Sequence, residues 1–135
     1  MERAVRLSAL LGPDLKQLLR EDPDEVRAFL EDLHPEDVAD LVSDWEPDEA
    51  AKLMEYLPAS EAAPIFERLE EHEQEALVEI MPPESVAHIA SEMEADDRAD
   101  FFSVMPEKRS IEIFAKLEKV DPEAAEEVRE IEKWP

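Results

Sequence analysis

The sequence contains no cysteine, and only one of its 135 residues is a glycine. Without cysteine the chain forms neither a disulfide framework nor a thiolate metal site, and it suits a reducing compartment. The single glycine, Gly12, excludes P-loops, GxGxxG turns and EF-hand loops, because each of these needs glycine at fixed positions. Chemistry that cradles phosphate in a glycine-rich loop is therefore excluded.

Basic residues are also scarce, since 14 Lys and Arg stand against 38 Asp and Glu, for a formal net charge of −24. A chain this acidic repels nucleic acid and anionic membrane surfaces, and it attracts cations. Its longest uncharged stretches, residues 7–13 and 85–91 among them, are far shorter than the roughly 20 apolar residues that cross a bilayer. We expect no secretory signal at the amino terminus. With 44% apolar residues, we expect one soluble, folded, very acidic domain.

A twelve-residue repeat runs through most of the chain. Each unit holds one large apolar residue, its anchor. A second apolar residue lies four positions before the anchor of the next unit, as Leu41 precedes Trp45. This spacing places the two residues on one face of an α-helix. The anchors are Leu33, Trp45, Leu57, Leu69, Met81, Met93, Met105 and Leu117. The second set is Leu41, Leu53, Ile65, Leu77, Ile89, Phe101 and Ile113.

Most units also open with residues that favour a helix start. Proline recurs beside carboxylates in segments such as HPED (34–37) and EPDE (46–49), where the first turn has no acceptor for its N–H groups and the helix dipole favours negative charge. The pattern predicts serial helices of about eight to ten residues joined by turns of about two to four. Pro64 lies well inside its unit, so we expect that helix to start late, near Ala62.

The predicted fold is all-α, a superhelix or α-solenoid of short helices with a twelve-residue repeat. Helices this short are marginal alone, so stacked neighbours must supply the core. We divide the single domain into a helical cap over residues 1–32, the repeats over 33–120, and a terminal helix with a junction to a following domain over 121–135. Trp134 lies off the repeat, and it either docks on another surface or stays unattached.

No residue pattern indicates an enzyme, and we predict no catalytic residues. The histidines His34, His72 and His88 are too far apart in the sequence for a zinc motif, and His34 is more simply a helix-start residue. Carboxylates are too abundant for any one pair to mark acid-base catalysis. The sequence also lacks the HExxH and GxSxG motifs.

The acidic segment EADDRADFF, residues 94–102, holds the strongest candidate for a metal site. In a helix that begins near Asp96, the carboxylates of Asp96 and Asp100 lie one turn apart on one face, with Asp97 beside them. A divalent cation relieves the repulsion between such charges, while the alternative is a solvated acidic helix start. Mg²⁺ takes one or two carboxylates and keeps several waters, so the site is expected to be weak until another domain adds ligands.

The run LHPEDVADLV (33–42), the units that end in Leu-Pro or Met-Pro and the segment MEADDRADFF together resemble the cytosolic amino-terminal domain of MgtE-type magnesium transporters. The resemblance covers nearly the whole chain. It implies a right-handed superhelix that precedes a pair of CBS domains and a membrane pore in one transporter. It also implies a cytoplasmic regulatory role, in which Mg²⁺ binds between acidic faces of this domain and the CBS pair and the pore closes.

The resemblance also implies which residues bind the metal. The family's interdomain magnesium ligands match Asp96 and Asp100 by position, whereas a further acidic ligand of the family falls on Pro64 in this sequence. The closing segment REIEKWP (129–135) resembles the junction before the CBS pair. An alternative stays open: an acidic helical scaffold for protein–protein interaction without a metal role, like the middle domain of the flagellar motor switch protein FliG.

Overall fold

The computed structural model describes residues 15–132 of the chain, with side chains described over residues 15–130. This part consists of ten α-helices and contains no strand. The helices are α1 (described over 15–21), α2 (Pro23–Leu30), α3 (Pro35–Val42), α4 (Pro47–Tyr56), α5 (Ala59–Arg68), α6 (Glu71–Ile80), α7 (Pro83–Ser91), α8 (Ala95–Val104), α9 (Glu107–Val120) and α10 (Pro122–Glu132). The predicted class, an all-α superhelix of short helices, is confirmed.

The repeat in the sequence decides where the helices begin. From α2 to α9, each helix starts twelve residues after the one before it. The helices α2, α3, α4, α7 and α10 begin at a proline. Its fixed φ suits the first residue of a helix, and its missing N–H costs no hydrogen bond there, because the first N–H groups of a helix have no helical acceptor. Every helix from α2 to α10 also carries an acidic residue in its first turn, where the helix dipole favours negative charge. Much of the acidity therefore stabilises helix starts.

Helices pack mainly against the helix two positions further along the chain. This holds for α3 with α5, α4 with α6, α5 with α7, α7 with α9 and α8 with α10, while α9 and α10 also pack against each other. Alternate helices thus supply the core that a helix of eight to ten residues cannot build alone. This stacking is the one expected of an α-solenoid.

The apolar positions of the repeat form one continuous core from Leu15 to Val128. Every residue of the second set is at most 5% exposed. The anchors are buried as well, except Leu33, which is partly buried against the core. The predicted helix faces are therefore confirmed.

The prediction that Pro64 delays its helix is wrong. The helix α5 begins at Ala59, and its first hydrogen bonds are accepted by the carbonyl of Pro58. Pro64 lies inside the helix, where its missing N–H leaves one carbonyl of the preceding turn without its helical donor. The residues on either side, Ala63 and Ile65, are buried. Packing of α5 between α3 and α7 therefore outweighs the local cost of the proline.

At one core position of the repeat, a polar residue replaces the apolar one in three units. Gln74, Arg98 and Ser110 occupy the position that Val38 and Ala50 fill in earlier units. Each of the three side chains donates to the backbone carbonyl eight residues earlier, over 2.8, 2.8 and 2.9 Å respectively. These carbonyls lie in the last turn of the preceding helix, where no intrahelical donor is available. One helix is thus capped by a side chain of the next.

Two predictions concern residues outside the described part. Trp134 lies there, as do the first fourteen residues of the predicted amino-terminal cap. The described part of the cap packs on the core through Leu15, Leu19 and Val26. The boundaries of the cap and the junction stay predictions, while the expected terminal helix is present as α10.

Candidate metal site

The candidate site lies at the start of α8. Glu94 is the N-cap residue with an extended backbone (φ −68°, ψ 152°), and Asp96 and Asp97 follow in the first turn. Asp96, Asp97 and Asp100 are all exposed. Asp96 and Asp100 are four residues apart in one helix and so share a face, as predicted. Their carboxylates are accessible to a ligand from outside the domain.

A buried arginine fixes the opposite face of α8. Arg98 is 5% exposed, and its Nε donates to the carbonyl of Ala90 over 2.8 Å. Its Nη2 donates to the carbonyls of Met93 and Ser91, and its Nη1 binds the Glu127 carboxylate over 2.9 Å. The guanidinium therefore ties α8 to the end of α7 and to α10, and it holds the acidic helix start in place.

Asp97 and Asp100 line a cavity of about 220 Å³ between α6 and α8. Glu67 and Glu71 line the same cavity, whereas Asp96 does not. The structure therefore divides the three predicted residues: two face the cavity together, and Asp96 is exposed outside it.

Glu67 is a residue of this cavity that the sequence did not reveal. Its side chain is 14% exposed, and its carboxylate accepts a hydrogen bond from the backbone N–H of Glu94 at the start of α8. Arg68 lies 3.8 Å away (Nη1 to Oε1). Burial, together with the nearby charge of Asp97, raises the pKa of Glu67. Most equivalent residues of other units, such as Ser43, are exposed, so the partial burial of Glu67 departs from the repeat.

Replacing Glu67 with glutamine is expected to raise the Tm at neutral pH by about 2 °C. The amide keeps an acceptor oxygen for the N–H of Glu94 and removes a buried charge beside Asp97. Because the pKa of Glu67 is higher in the folded state than in the unfolded state, its charge opposes folding above the folded pKa, and this cost vanishes as the pH falls through that pKa. The advantage of the variant therefore shrinks on acidification, which thermal unfolding followed by circular dichroism will measure.

The matched control is Glu71→Gln, which removes an exposed carboxylate from the same cavity. This change makes the net charge less negative by the same one unit, without removing a buried group. A gain in Tm equal to that of Glu67→Gln at every pH would show that general charge repulsion, and not the burial of Glu67, sets the effect.

The carboxylates of α8 are not compensated by nearby cations. Among residues 15–130, no Lys, Arg or His forms an ion pair with Asp96, Asp97 or Asp100. The same part of the chain holds no group of three or more His, Cys, Asp or Glu side chains arranged to bind a metal ion. The arrangement can offer carboxylate oxygens to a hard cation, but it supplies part of a coordination shell rather than all of it.

The histidines take no part in this arrangement. His34 is the N-cap residue of α3, as predicted. His72 is exposed, with its Nδ1 3.5 Å from the Oε1 of Glu70, and His88 is exposed on α7. None of the three lines the cavity between α6 and α8.

The start of α3 repeats the acidic pattern of α8. Glu36, Asp37 and Asp40 lie five units before Asp96, Asp97 and Asp100, at the same positions of the repeat. In both helices a serine hydroxyl, three residues after the last aspartate, donates to that aspartate's backbone carbonyl. The two starts differ beneath the surface, because a valine fills the core position that the buried arginine occupies in α8. The start of α3 can therefore serve as a control, within the same chain, for variants of the α8 carboxylates.

Fold and site together define an all-α repeat protein that presents an exposed, uncompensated acidic face at the start of one helix. None of the helices between residues 15 and 132 has the length and apolar character that crossing a membrane requires. The chain belongs to the family described as the MgtE intracellular N domain, whose sequence model matches residues 33–135. The resemblance read from the sequence is confirmed, and an intracellular domain agrees with the expected cytoplasmic location.

Two solved structures share this fold. The soluble part of a magnesium transporter aligns with a TM-score of 0.78 at 20% identity, over 92% of this chain and 48% of that one. The cytosolic domain of the Mg²⁺ channel MgtE in complex with ATP aligns with a TM-score of 0.58 at 24% identity, over 89% of this chain and 44% of that one. The chain thus spans about half the length of these proteins or less. No curated protein sequence matches it.

Proposed function

We propose that this chain is the Mg²⁺-sensing regulatory domain of an MgtE-like magnesium transporter. The observation that supports the proposal most directly is the set of exposed carboxylates on α8, Asp96, Asp97 and Asp100, which no cation of the described residues compensates. Membership of the MgtE intracellular N domain family gives this acidic face its context. In this proposal the domain regulates transport and carries no catalytic residues.

In the proposed mechanism, Mg²⁺ binds between the start of α8 and a CBS domain pair of the same transporter. Asp96 and Asp100 each give a carboxylate oxygen, and Asp97 adds negative charge beside them. Mg²⁺ keeps several waters and needs few protein ligands, so two incomplete acidic faces together form a better site than either one alone. Without the ion, like charges on the two faces repel, and this repulsion separates the domains. Binding therefore favours a compact arrangement that closes the pore.

The anchored helix start suits such a role. Because Arg98 and the core residues Ala99, Phe101 and Phe102 hold the inner face of α8, the outward carboxylates keep their positions whether or not a cation is bound. Ligands that are already in place lose little conformational freedom on binding. The affinity of the domain alone is still expected to be low, because partner carboxylates complete the shell.

The test is the effect of Mg²⁺ on thermal stability at constant ionic strength. We expect millimolar Mg²⁺ to raise the Tm of the chain, since a ligand that binds the folded state stabilises it. The double variant Asp96→Asn with Asp100→Asn is expected to lose part of that rise. Differential scanning calorimetry with Mg²⁺ exchanged for an ionically matched monovalent salt separates site binding from general screening of the net charge of −24.

The matched control is Glu36→Gln with Asp40→Asn, which neutralises the equivalent pair on α3. Both double variants change the net charge equally at the same spacing in the repeat. A rise in Tm that persists unchanged in the α8 variant, or that both variants reduce equally, would refute the assignment to α8. The second result would favour the alternative function, an acidic scaffold for protein partners in which Mg²⁺ acts on the overall charge alone.

A further inference from the structure

One anchor of the repeat carries a polar group that packing alone does not require. Seven of the eight anchors are leucine or methionine, and the eighth is Trp45. Trp45 is 7% exposed, and its indole N–H is buried without a hydrogen-bond partner among residues 15–130. A buried donor without an acceptor is costly, and the N–H of a buried tryptophan usually has one. An acceptor from outside the described part of the chain would therefore stabilise this residue.

Trp45 lines a cavity of about 180 Å³ between the end of α3, the start of α4 and α6. Most of the lining is apolar. The apolar residues other than the tryptophan are Val42, Pro47, Ala50, Leu69, Ala76 and Leu77. A cavity of about 150 Å³ can hold a benzene molecule, so this cavity has room for one ring with a small substituent.

The other polar side chains of the lining already have partners. The Ser43 hydroxyl donates to the backbone carbonyl three residues earlier, over 2.9 Å. The carboxylate of Glu73 accepts the backbone N–H of Glu70 over 2.9 Å, in the capping box of α6. The Nδ1 of His72 lies 3.5 Å from a carboxylate oxygen of Glu70. The indole N–H of Trp45 is thus the buried donor of this lining that has no acceptor.

The cavity is the repeat equivalent of the cavity between α6 and α8, two units earlier in the chain. Most of its lining residues stand 24 positions before a residue that lines the α6–α8 cavity. Three carboxylates of that cavity are replaced here by uncharged side chains. The replacements are Ser43 for Glu67, Pro47 for Glu71 and Ala76 for Asp100. The repeat thus builds both cavities, but one offers carboxylates to a cation, whereas the other offers apolar walls and a donor N–H.

We propose that the cavity beside Trp45 binds a small neutral molecule with an apolar ring and a hydrogen-bond acceptor, which accepts the indole N–H. The apolar walls favour burial of an apolar ring, and the N–H requires a carbonyl oxygen or a ring nitrogen as its acceptor. The net charge of −24 disfavours an anionic ligand. The proposal is independent of the metal site, because it uses neither the carboxylates of α8 nor Mg²⁺.

Benzamide is a suitable probe, because it is neutral and combines one ring with a carbonyl oxygen. Nuclear magnetic resonance of the ¹⁵N-labelled chain reports the indole N–H signals of its two tryptophans, and a Trp134→Phe variant assigns them. We expect benzamide to move the Trp45 indole proton downfield in a saturable way, with a dissociation constant in the millimolar range, and to raise the Tm. Toluene, which has the same ring and no acceptor, should give no downfield shift.

The matched variants are Ala76→Leu, which fills the cavity, and Ala115→Leu, which places the same side chain at an exposed position of α9 outside it. Benzamide binding should weaken by about tenfold or more in Ala76→Leu and stay unchanged in Ala115→Leu. The absence of a saturable downfield shift in the intact chain, or an equal shift in Ala76→Leu, would overturn the proposal. A long-lived water that contacts the Trp45 indole proton and that benzamide does not displace would also overturn it, because water alone then supplies the acceptor.

Discussion

Replacing Arg98 with alanine is expected to lower the free energy of unfolding by about 4 kcal/mol. The guanidinium donates to three backbone carbonyls and to the Glu127 carboxylate. Its removal takes away the donor of the Ser91 and Met93 carbonyls and opens a cavity where a long side chain had packed. Urea unfolding followed by circular dichroism measures the loss, which corresponds to a fall in Tm of more than about 10 °C.

Two variants separate the buried contacts from the surface ion pair. Glu127→Gln removes the charge partner alone and is expected to cost about 1 kcal/mol, because the Glu127 side chain is half exposed and the carbonyl contacts of Arg98 remain. Arg20→Ala removes an exposed arginine that pairs with Glu49 and is expected to cost less than about 1 kcal/mol. A loss from Arg98→Ala no larger than that from Arg20→Ala would contradict the capping role.

The sequence predicted the fold well because its signals are local and recur. Prolines such as Pro35 and Pro47 begin their helices in the structure, since their fixed φ and missing N–H act within a single turn. The second apolar set predicted the core because apolar residues four positions apart lie on one face of a helix, and that face packs inward. The start of α5 was mispredicted for the opposite reason. Packing on both sides of the helix, and not the local effect of Pro64, decides where it begins.

The candidate site was partly predictable. The exposure of Asp96 and Asp100 follows from their place on a helix start, away from the anchor face. The burial of Arg98 also had a signal, because its repeat position holds apolar residues in most earlier units, but no prediction was drawn from it. Glu67 had no such signal, because its contact joins α5 to the start of α8 and depends on how distant units stack.

The net charge of −24 therefore has two separable roles. Acidic first turns from α2 to α10 stabilise individual helices, and this role is spread evenly along the repeat. At the start of α8, Glu67 adds a further carboxylate, of raised pKa, beside Asp97. Negative charge is thus concentrated at α8 beyond what a helix start requires, and a bound cation would relieve it.

Replacing Phe102 with alanine is expected to cost about 4 kcal/mol of stability. The Phe102 ring is 1% exposed and makes edge contacts with Phe101 and Phe114, at centroid distances of 5.3 and 5.9 Å. Phe101 makes a further edge contact with Phe66 at 5.6 Å, so this row of rings joins α5, α8 and α9. Urea unfolding measures the loss, and Phe102→Leu, which keeps most of the volume, should cost about 1.5 kcal/mol or less.

The same variant tests whether the core and the candidate site act independently. The ring of Phe102 is buried on the inner face of α8, whereas the side chains of Asp96 and Asp100 are exposed. The contacts of Arg98 that hold the helix start do not involve the ring. We therefore expect Phe102→Ala to lower the Tm with and without Mg²⁺ and to preserve the difference between the two. If that difference disappears, the positions of the outward carboxylates depend on the row of rings beneath them, and the anchoring by Arg98 is insufficient.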